Sequence, residues 1–268
     1  MDRRTYLGGL TTAGVLGLAG CLDSVEEAAG LTTEGSGNWG SNETVLSTPE
    51  EDRGNPSHPI YGHEMPTFSM PDPLSGETVD TAAFEGDRSY LMTFIFTACP
   101  DGACPALLLR LRRAQEDARE HGYEDDVSFL AMTFDPERDT PDVLETYADE
   151  RGIDHAADNW HFLRPETYEA GETLLDDKFG MQIERVEDED EIEEMHEGHD
   201  HEDEHDGHDG NETGGHDHDE HDHDDYTFVH FNLILLVNEH GVVERSYPGG
   251  DTVDTDMVVE DVRAVTGN

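Results

Sequence analysis

Two apolar runs set the terms for any fold this chain adopts. They are Tyr90-Leu91-Met92-Thr93-Phe94-Ile95-Phe96 and Phe231-Asn232-Leu233-Ile234-Leu235-Leu236-Val237, both strand-like in length and composition. The first lies in a nearly continuous apolar stretch over 89–97, and a strand without polar alternation needs cover on both faces. The rest of the chain is of another kind. Its 15 Lys and Arg residues stand against 65 Asp and Glu, a formal charge of −50 over 268 residues. That charge with 34% hydrophobic residues borders on the composition of disordered chains. Because the apolar residues are concentrated, the expectation is one globular domain with polar, acidic appendages. A surface this negative repels phosphates and anionic headgroups, so no nucleic-acid partner is expected.

Lys178 is the only lysine, and the other fourteen basic residues are arginines. Acids are dense even within the domain, as at Glu124-Asp125-Asp126 and Asp149-Glu150. This pattern resembles proteins of salt-in halophilic archaea, and such an origin is expected. In molar salt the Debye length falls to about 3 Å, which screens the self-repulsion.

Residues 1–21 read as an export signal. Arg3-Arg4 precede Thr5-Tyr6-Leu7 and a Gly/Ala/Leu-rich stretch that ends in Leu18-Ala19-Gly20-Cys21. The paired arginines resemble a twin-arginine signal. The last four residues resemble a lipobox, in which Cys21 is lipidated and becomes the mature N-terminus. The apolar segment is shorter than the ~20 residues of a membrane span. The folded part is therefore expected outside the cytoplasm, anchored to the outer face of the cell membrane, with residues 22–57 as a flexible tether. The domain then runs over 58–268. Asn42-Glu43-Thr44 and Asn211-Glu212-Thr213 are glycosylation sequons.

Strand and helix signals alternate along the domain. A short hairpin is expected at Thr67–Ser69 and Thr78–Val79, and buried strands over 89–97 and Val127–Phe134. A helix is expected to open at Pro105, and a second at Thr140-Pro141. A short strand covers Trp160–Leu163, and a third helix 166–179. Strands over 231–237 and 242–247 pair around Asn238–Gly241, and a final helix fills 254–265. The fold class is α/β, with a thioredoxin-like central sheet flanked by helices.

Three cysteines less a lipidated Cys21 leave Cys99 and Cys104. Both fall between the first buried strand and its helix, where an α/β sheet presents its site. The unpaired N–H groups and positive dipole end of that helix favour a thiolate. Gly102 lets the loop bring the sulfurs together, as either a disulfide or a shared metal site requires. Two thiolates suit Cu(I), and a neutral imidazole would complete a three-coordinate site. Taken alone, the pair reads equally as a redox couple or a metal site.

Four segments in order resemble one family. Phe96-Thr97-Ala98-Cys99-Pro100-Asp101-Gly102-Ala103-Cys104-Pro105 is similar to the Sco/SenC copper-binding motif. Thr133-Phe134-Asp135-Pro136-Glu137-Arg138-Asp139-Thr140-Pro141 resembles that family's Asp-Pro-x-x-Asp-Thr segment. Trp160-His161-Phe162-Leu163 sits where the family has its Trp-x-x-Leu strand, and His230 where it places a copper-ligating histidine. The resemblance implies a copper chaperone that assembles the CuA centre of cytochrome c oxidase, with Cys99, Cys104 and His230 as ligands and the cysteines as a redox dithiol. Asp135 would orient the site from behind the ligands. The implied partner is cytochrome c oxidase subunit II or another cupredoxin-type copper protein. This chain has four residues between the cysteines where the family usually has three. Val229 and Phe231 flank His230 where the family tends to place Asp and Ser or Thr.

A low-complexity insertion over 187–224 interrupts the domain, and no core is expected from it. It carries His196, His199, His201, His205, His208, His216, His218, His221 and His223. Imidazoles and carboxylates at this density chelate copper, zinc or nickel, so a disordered, metal-collecting loop is expected. The leading function is a membrane-tethered copper-binding assembly factor. The alternatives are a thiol–disulfide oxidoreductase or peroxidase-like enzyme without obligatory copper, and a metal buffer acting through the insertion.

Overall fold

The computed structural model describes residues 39–51, 54–187 and 226–268. The export signal, Cys21 and the nine histidines of the insertion lie outside the described residues. The elements in chain order are β1 (Ser69–Pro71), β2 (Thr78–Asp80), β3 (Ser89–Ile95), α1 (Ala103–His121), β4 (Val127–Thr133), α2 (Pro141–Glu150) and β5 (Trp160–Leu163). There follow α3 (Tyr168–Phe179), β6 (Glu184–Val186), β7 (Thr227–Val229), β8 (Leu233–Val237), β9 (Val243–Pro248) and α4 (Thr255–Val265).

The core is a five-stranded sheet in the order β5-β4-β3-β8-β9. β3, β4 and β5 run parallel, whereas β8 is antiparallel to β3, and β9 to β8. Every residue of β3, β4 and β8 is buried, as their unbroken apolar sequences require of strands covered on both faces. Helix α1 buries Leu107, Leu108, Leu111, Ala114 and Ala118, spaced along one stripe, and packs against α4 through that helix's Val258, Val262 and Val265 side. From α3, Phe179 meets Phe94 of β3 with ring centroids 5.2 Å apart. Helices thus flank a central mixed sheet in the thioredoxin-like arrangement.

Several boundaries differ from the sequence expectation. Helix α1 starts at Ala103, so Pro105 is its third residue rather than its first. Gly102 adopts a left-handed φ of 75° and Asp101 Oδ1 accepts the Ala103 N–H at 2.9 Å, which turns the chain into the helix early. Proline fits there because first-turn N–H groups have no intrahelical partner. The opening hairpin pairs Ser69 with Asp80, with its first strand two residues later than expected. β8 begins at Leu233, which leaves His230, Phe231 and Asn232 outside the strand. A ribbon of β6 and β7 was not anticipated at all. It pairs Glu184 with Val229 and Val186 with Thr227, so it joins the two ends of the insertion.

The tether reading does not hold for residues 39–46. The carboxylate of Glu244 is fully buried and accepts the Val45 and Leu46 N–H groups at 2.7 and 2.9 Å and the Asn238 amide at 2.6 Å. A buried carboxylate needs such donors, and this stretch of chain supplies two of them. Tyr61 donates its hydroxyl to the Leu46 carbonyl at 2.7 Å, and Gly40 donates its amide to Tyr61 at 3.0 Å. A side chain at Gly40 would strike the Gly62 carbonyl oxygen at 1.9 Å, so only glycine fits. No helix among the described residues is long and apolar enough to cross a membrane.

Candidate metal centre

The site lies at the carboxyl ends of β3 and β4, where each strand gives way to a loop and a helix. The loop after β3 carries Cys99 and delivers Cys104 to the first turn of α1. Its first residues are pinned from the side. The Thr97 N–H donates to Asp139 Oδ1 at 3.1 Å, and the hydroxyls of Thr97 and Thr133 both donate to the same carboxylate. Asp139 is fully buried, and burial pushes its carboxyl up to about 6 although these donors favour the charged form. Arg164 braces the same loop by donating to the Asp139 carbonyl at 2.9 Å and the Pro136 carbonyl at 2.6 Å. The loop leaving β4 therefore sets the start of the cysteine loop.

Both thiols are free. Cys104 is completely buried and Cys99 half-buried. The Cys104 N–H donates to Cys99 Sγ at 3.3 Å, and Cys99 Sγ lies 2.9 Å from Asp101 Oδ1. A hydrogen bond from the Cys104 thiol lowers Cys99 to about 6. His230 and the Cys104 amide act in the same direction, against burial and Asp101. Cys104 moves the other way: burial, then its bond to Cys99, raises it well above an ordinary thiol. One sulfur is thus a thiolate near neutral pH and the other keeps its proton.

His230 sits in the link between β7 and β8. β8 is antiparallel to β3 with Ile234 opposite Thr93, so residues preceding Leu233 return over the carboxyl end of β3. The His230 ring lies against Phe96 and Phe134, centroids 5.4 and 5.1 Å away. Its Nε2 is 3.9 Å from Cys104 Sγ, across 126 residues of sequence. Its Nδ1 lies 3.4 Å from the Phe231 carbonyl oxygen, an acceptor that favours the Nδ1–H tautomer and leaves the Nε2 lone pair towards the sulfurs. A backbone carbonyl thus takes the place of the acid that the flanking residues Val229 and Phe231 lack.

The ligand atoms of Cys99, Cys104 and His230 lie within 4.8 Å of one another, the one such group among the described residues. Bonds of about 2.3 Å to sulfur and 2.0 Å to nitrogen at a trigonal angle separate the two donors by about 3.7 Å. The observed 3.9 Å fits a single first-row ion with little movement. Two soft sulfurs and one imidazole favour Cu(I) within that row.

Asp135 is buried, but its partners are not the ligands. It accepts the Tyr226 hydroxyl at 2.8 Å and Arg138 Nε at 2.5 Å, and its N–H donates to Thr133 at 3.0 Å. Tyr226 and Asp139 escaped the sequence reading. Asp139 carried a faint signal, lying in the recognised segment just before the Thr140 cap. Nothing in the sequence marked Tyr226 beyond its being the first aromatic residue after the insertion. His230 also opens on a groove of about 620 Å³ rimmed by Glu172, Asp176 and Glu184. There Val229 and Phe231 are about half exposed, at 50% and 49%.

Residues 62–201, just over half of the chain, match the family described as SCO1/SenC. A curated relative, the SCO2-like protein RT0576 of Rickettsia typhi, is 37% identical over 73 residues, 27% of this chain and 34% of that protein. The chain thus spans about a third of the length of the curated relatives it matches. Among solved structures, a SCO1/SenC family lipoprotein from Bacillus anthracis aligns with a TM-score of 0.52 at 18% identity, over 75% of this chain and 94% of that one. BsSco, a member of the Sco family of cytochrome c oxidase assembly proteins in which a disulfide switch was identified, aligns at 0.51 and 20%, over 80% and 98%. Copper-bound ScoI of Arabidopsis thaliana aligns at 0.50 and 18%, over 77% and 100%. At these identities the structures share a fold with this chain. The sequence match, which takes in the cysteine loop and the Asp135–Pro141 segment that pins it, decides the family: the chain belongs to SCO1/SenC.

Proposed function

We propose that the domain binds one Cu(I) ion through Cys99, Cys104 and His230. In this reading it serves outside the cytoplasm, held to the membrane through Cys21, in assembling the CuA centre of cytochrome c oxidase. One observation carries the copper site: two free thiols and an imidazole converge within 4.8 Å. The copper-bound and oxidase-assembly proteins of the same fold support it. Copper is cargo here. Cys99 meets the ion as a thiolate, while Cys104 gives up its proton as the Cu–S bond forms, so loading releases protons. The groove beside His230 leaves room for a cupredoxin-type partner, such as oxidase subunit II, to exchange its own thiolates for these ligands.

Anaerobic Cu(I) titration with a thiol count tests the site. One copper per chain should protect both thiols, and His230→Ala should weaken binding at least tenfold, the cost of about one lost ligand interaction. Two thiols still fully reactive at one equivalent of Cu(I) would exclude it.

A second reading rests on the asymmetry of the thiols. Cys99 as thiolate attacks a partner disulfide and forms a mixed disulfide, with one partner sulfur leaving as thiolate. Cys104 then loses its proton and attacks the Cys99 sulfur, breaking the mixed disulfide and releasing the second partner sulfur as thiolate, so the partner gains two electrons and the chain ends with a Cys99–Cys104 disulfide. This route needs no third ligand. His230→Ala should weaken copper at least tenfold while leaving disulfide reduction intact if both activities reside here. The His-rich tract over 187–224 would supply further, weaker metal sites. Deleting it should leave one tight copper and remove the weaker equivalents, and loss of the tight copper would contradict that division.

A further inference from the structure

Little backbone structure carries His230. β7 has three residues, its one strand partner β6 has three, and this ribbon is separate from the five-stranded sheet. Phe228 anchors the ribbon by packing against Phe96 and Phe134, with both centroids 5.2 Å away. Such apolar contact is not directional and leaves the ribbon's rotation open. The directional contacts converge on Tyr226, the residue before β7. Its hydroxyl donates to Asp135 Oδ1 at 2.8 Å, and its carbonyl accepts from Arg138 Nη1 at 2.9 Å. Two guanidiniums flank its ring, Arg138 at 3.8 Å and Arg185 at 3.5 Å from the centroid, a distance at which cation–π attraction operates. Asp135 holds Arg138 through Nε at 2.5 Å, and Glu137 holds Arg185 at 3.0 Å.

Most of these partners lie in the loop that leaves β4, whose far end, Asp139, pins Thr97 and the cysteine loop. One short loop therefore grips the thiol side of the site at Asp139 and the imidazole side at Asp135 and Arg138. We propose that Tyr226, clasped by Asp135, Arg138 and Arg185, is a positioning residue that keeps His230 on the ion held by Cys99 and Cys104. The proposal rests on the copper-binding reading above. With the clasp opened, the imidazole is withdrawn and a two-sulfur Cu(I) site is left.

The test uses the full chain loaded with Cu(I) anaerobically, read by competition titration and X-ray absorption at the copper edge. Tyr226→Phe keeps the buried ring and loses only the hydroxyl. Arg138→Lys keeps a charge beside Asp135 and loses the fork that reaches the Tyr226 carbonyl. Each should weaken copper about tenfold, the loss of one charge-assisted hydrogen bond, and diminish the imidazole scattering that the native chain shows. In a His230→Ala background neither substitution should weaken copper further, whereas damage to the thiol side would do so in both backgrounds. Native imidazole scattering that persists in both variants, with affinity within about twofold, overturns the clasp and leaves the copper site standing. A native chain without imidazole scattering, and indifferent to His230→Ala, overturns the three-ligand reading and the clasp with it. Unfolding midpoints close to native verify that each variant is folded.

Discussion

Cys99 in the loop and Cys104 in the first turn of α1 are close neighbours, yet their surroundings drive their acidities apart, and alkylation of the reduced, metal-free chain should resolve the two. The Cys104 thiol, then His230 and the Cys104 amide, bring Cys99 down to about 6 against burial and Asp101. Burial keeps Cys104 protonated well above the ordinary thiol range. At pH 7 a thiol of pKa near 6 is about nine-tenths ionised, whereas an ordinary cysteine near 8.5 is only about 3% ionised, roughly a 30-fold difference. A weaker base is also a poorer nucleophile, so the plateau rate falls by about tenfold and the midpoint is the quantity to measure. With iodoacetamide, one thiol should follow a titration curve centred near pH 6, and the other should stay silent through neutral pH. Cys104→Ala removes the largest influence and should move the midpoint up. Asp101→Asn removes an opposing carboxylate and should move it down. The depressed pKa also contributes stability that is present above the unfolded value of about 8.5 and is lost as pH falls through about 6. A native midpoint above 8, or an upward shift in Asp101→Asn, would refute the assignment of these causes.

Phe228→Ala empties a buried position among Phe96, Phe134 and Tyr168 and should cost about 3–5 kcal/mol by denaturant unfolding; a loss below 1 kcal/mol would mean the ribbon is not part of the core. Glu244→Ala removes the acceptor of the Val45 and Leu46 amides. Their hydrogen exchange should accelerate while β3 and β4 stay protected, and unchanged protection at Val45 would disprove the clamp. The Asp139 carboxyl, raised by burial to about 6, should show a carbon chemical-shift midpoint there. Because this folded pKa lies above the unfolded one, its stabilising effect is complete below pH about 4 and is lost as pH rises through about 6. Asp139→Asn should flatten that slope.

The features legible in the sequence are those written in consecutive residues. The unbroken apolar runs of β3 and β4 admit only strands covered on both faces. The pair Cys99 and Cys104 is local, so its place at a strand end and helix start followed from spacing alone. The family likeness followed from short motifs of the same kind. The three-residue strands β6 and β7 were not legible, since three residues carry no period and the 187–224 insertion stands between them. Nor was Glu244, which as a letter is one of 65 acids and becomes distinctive only once buried with Val45 and Leu46 donating to it.

By itself, then, the sequence determined the layered α/β class and the placing of both thiols between a buried strand and its helix, because hydrophobic period and local spacing act over a few residues. The tertiary structure alone decided that His230 lies 3.9 Å from Cys104 and that the Asp135–Asp139 loop bonds both Thr97 and Tyr226. Those contacts depend on the antiparallel register of β8 against β3 and on side chains brought together from far apart in the chain. Such pairings are set by the packing free energy of the whole core, which no local pattern records.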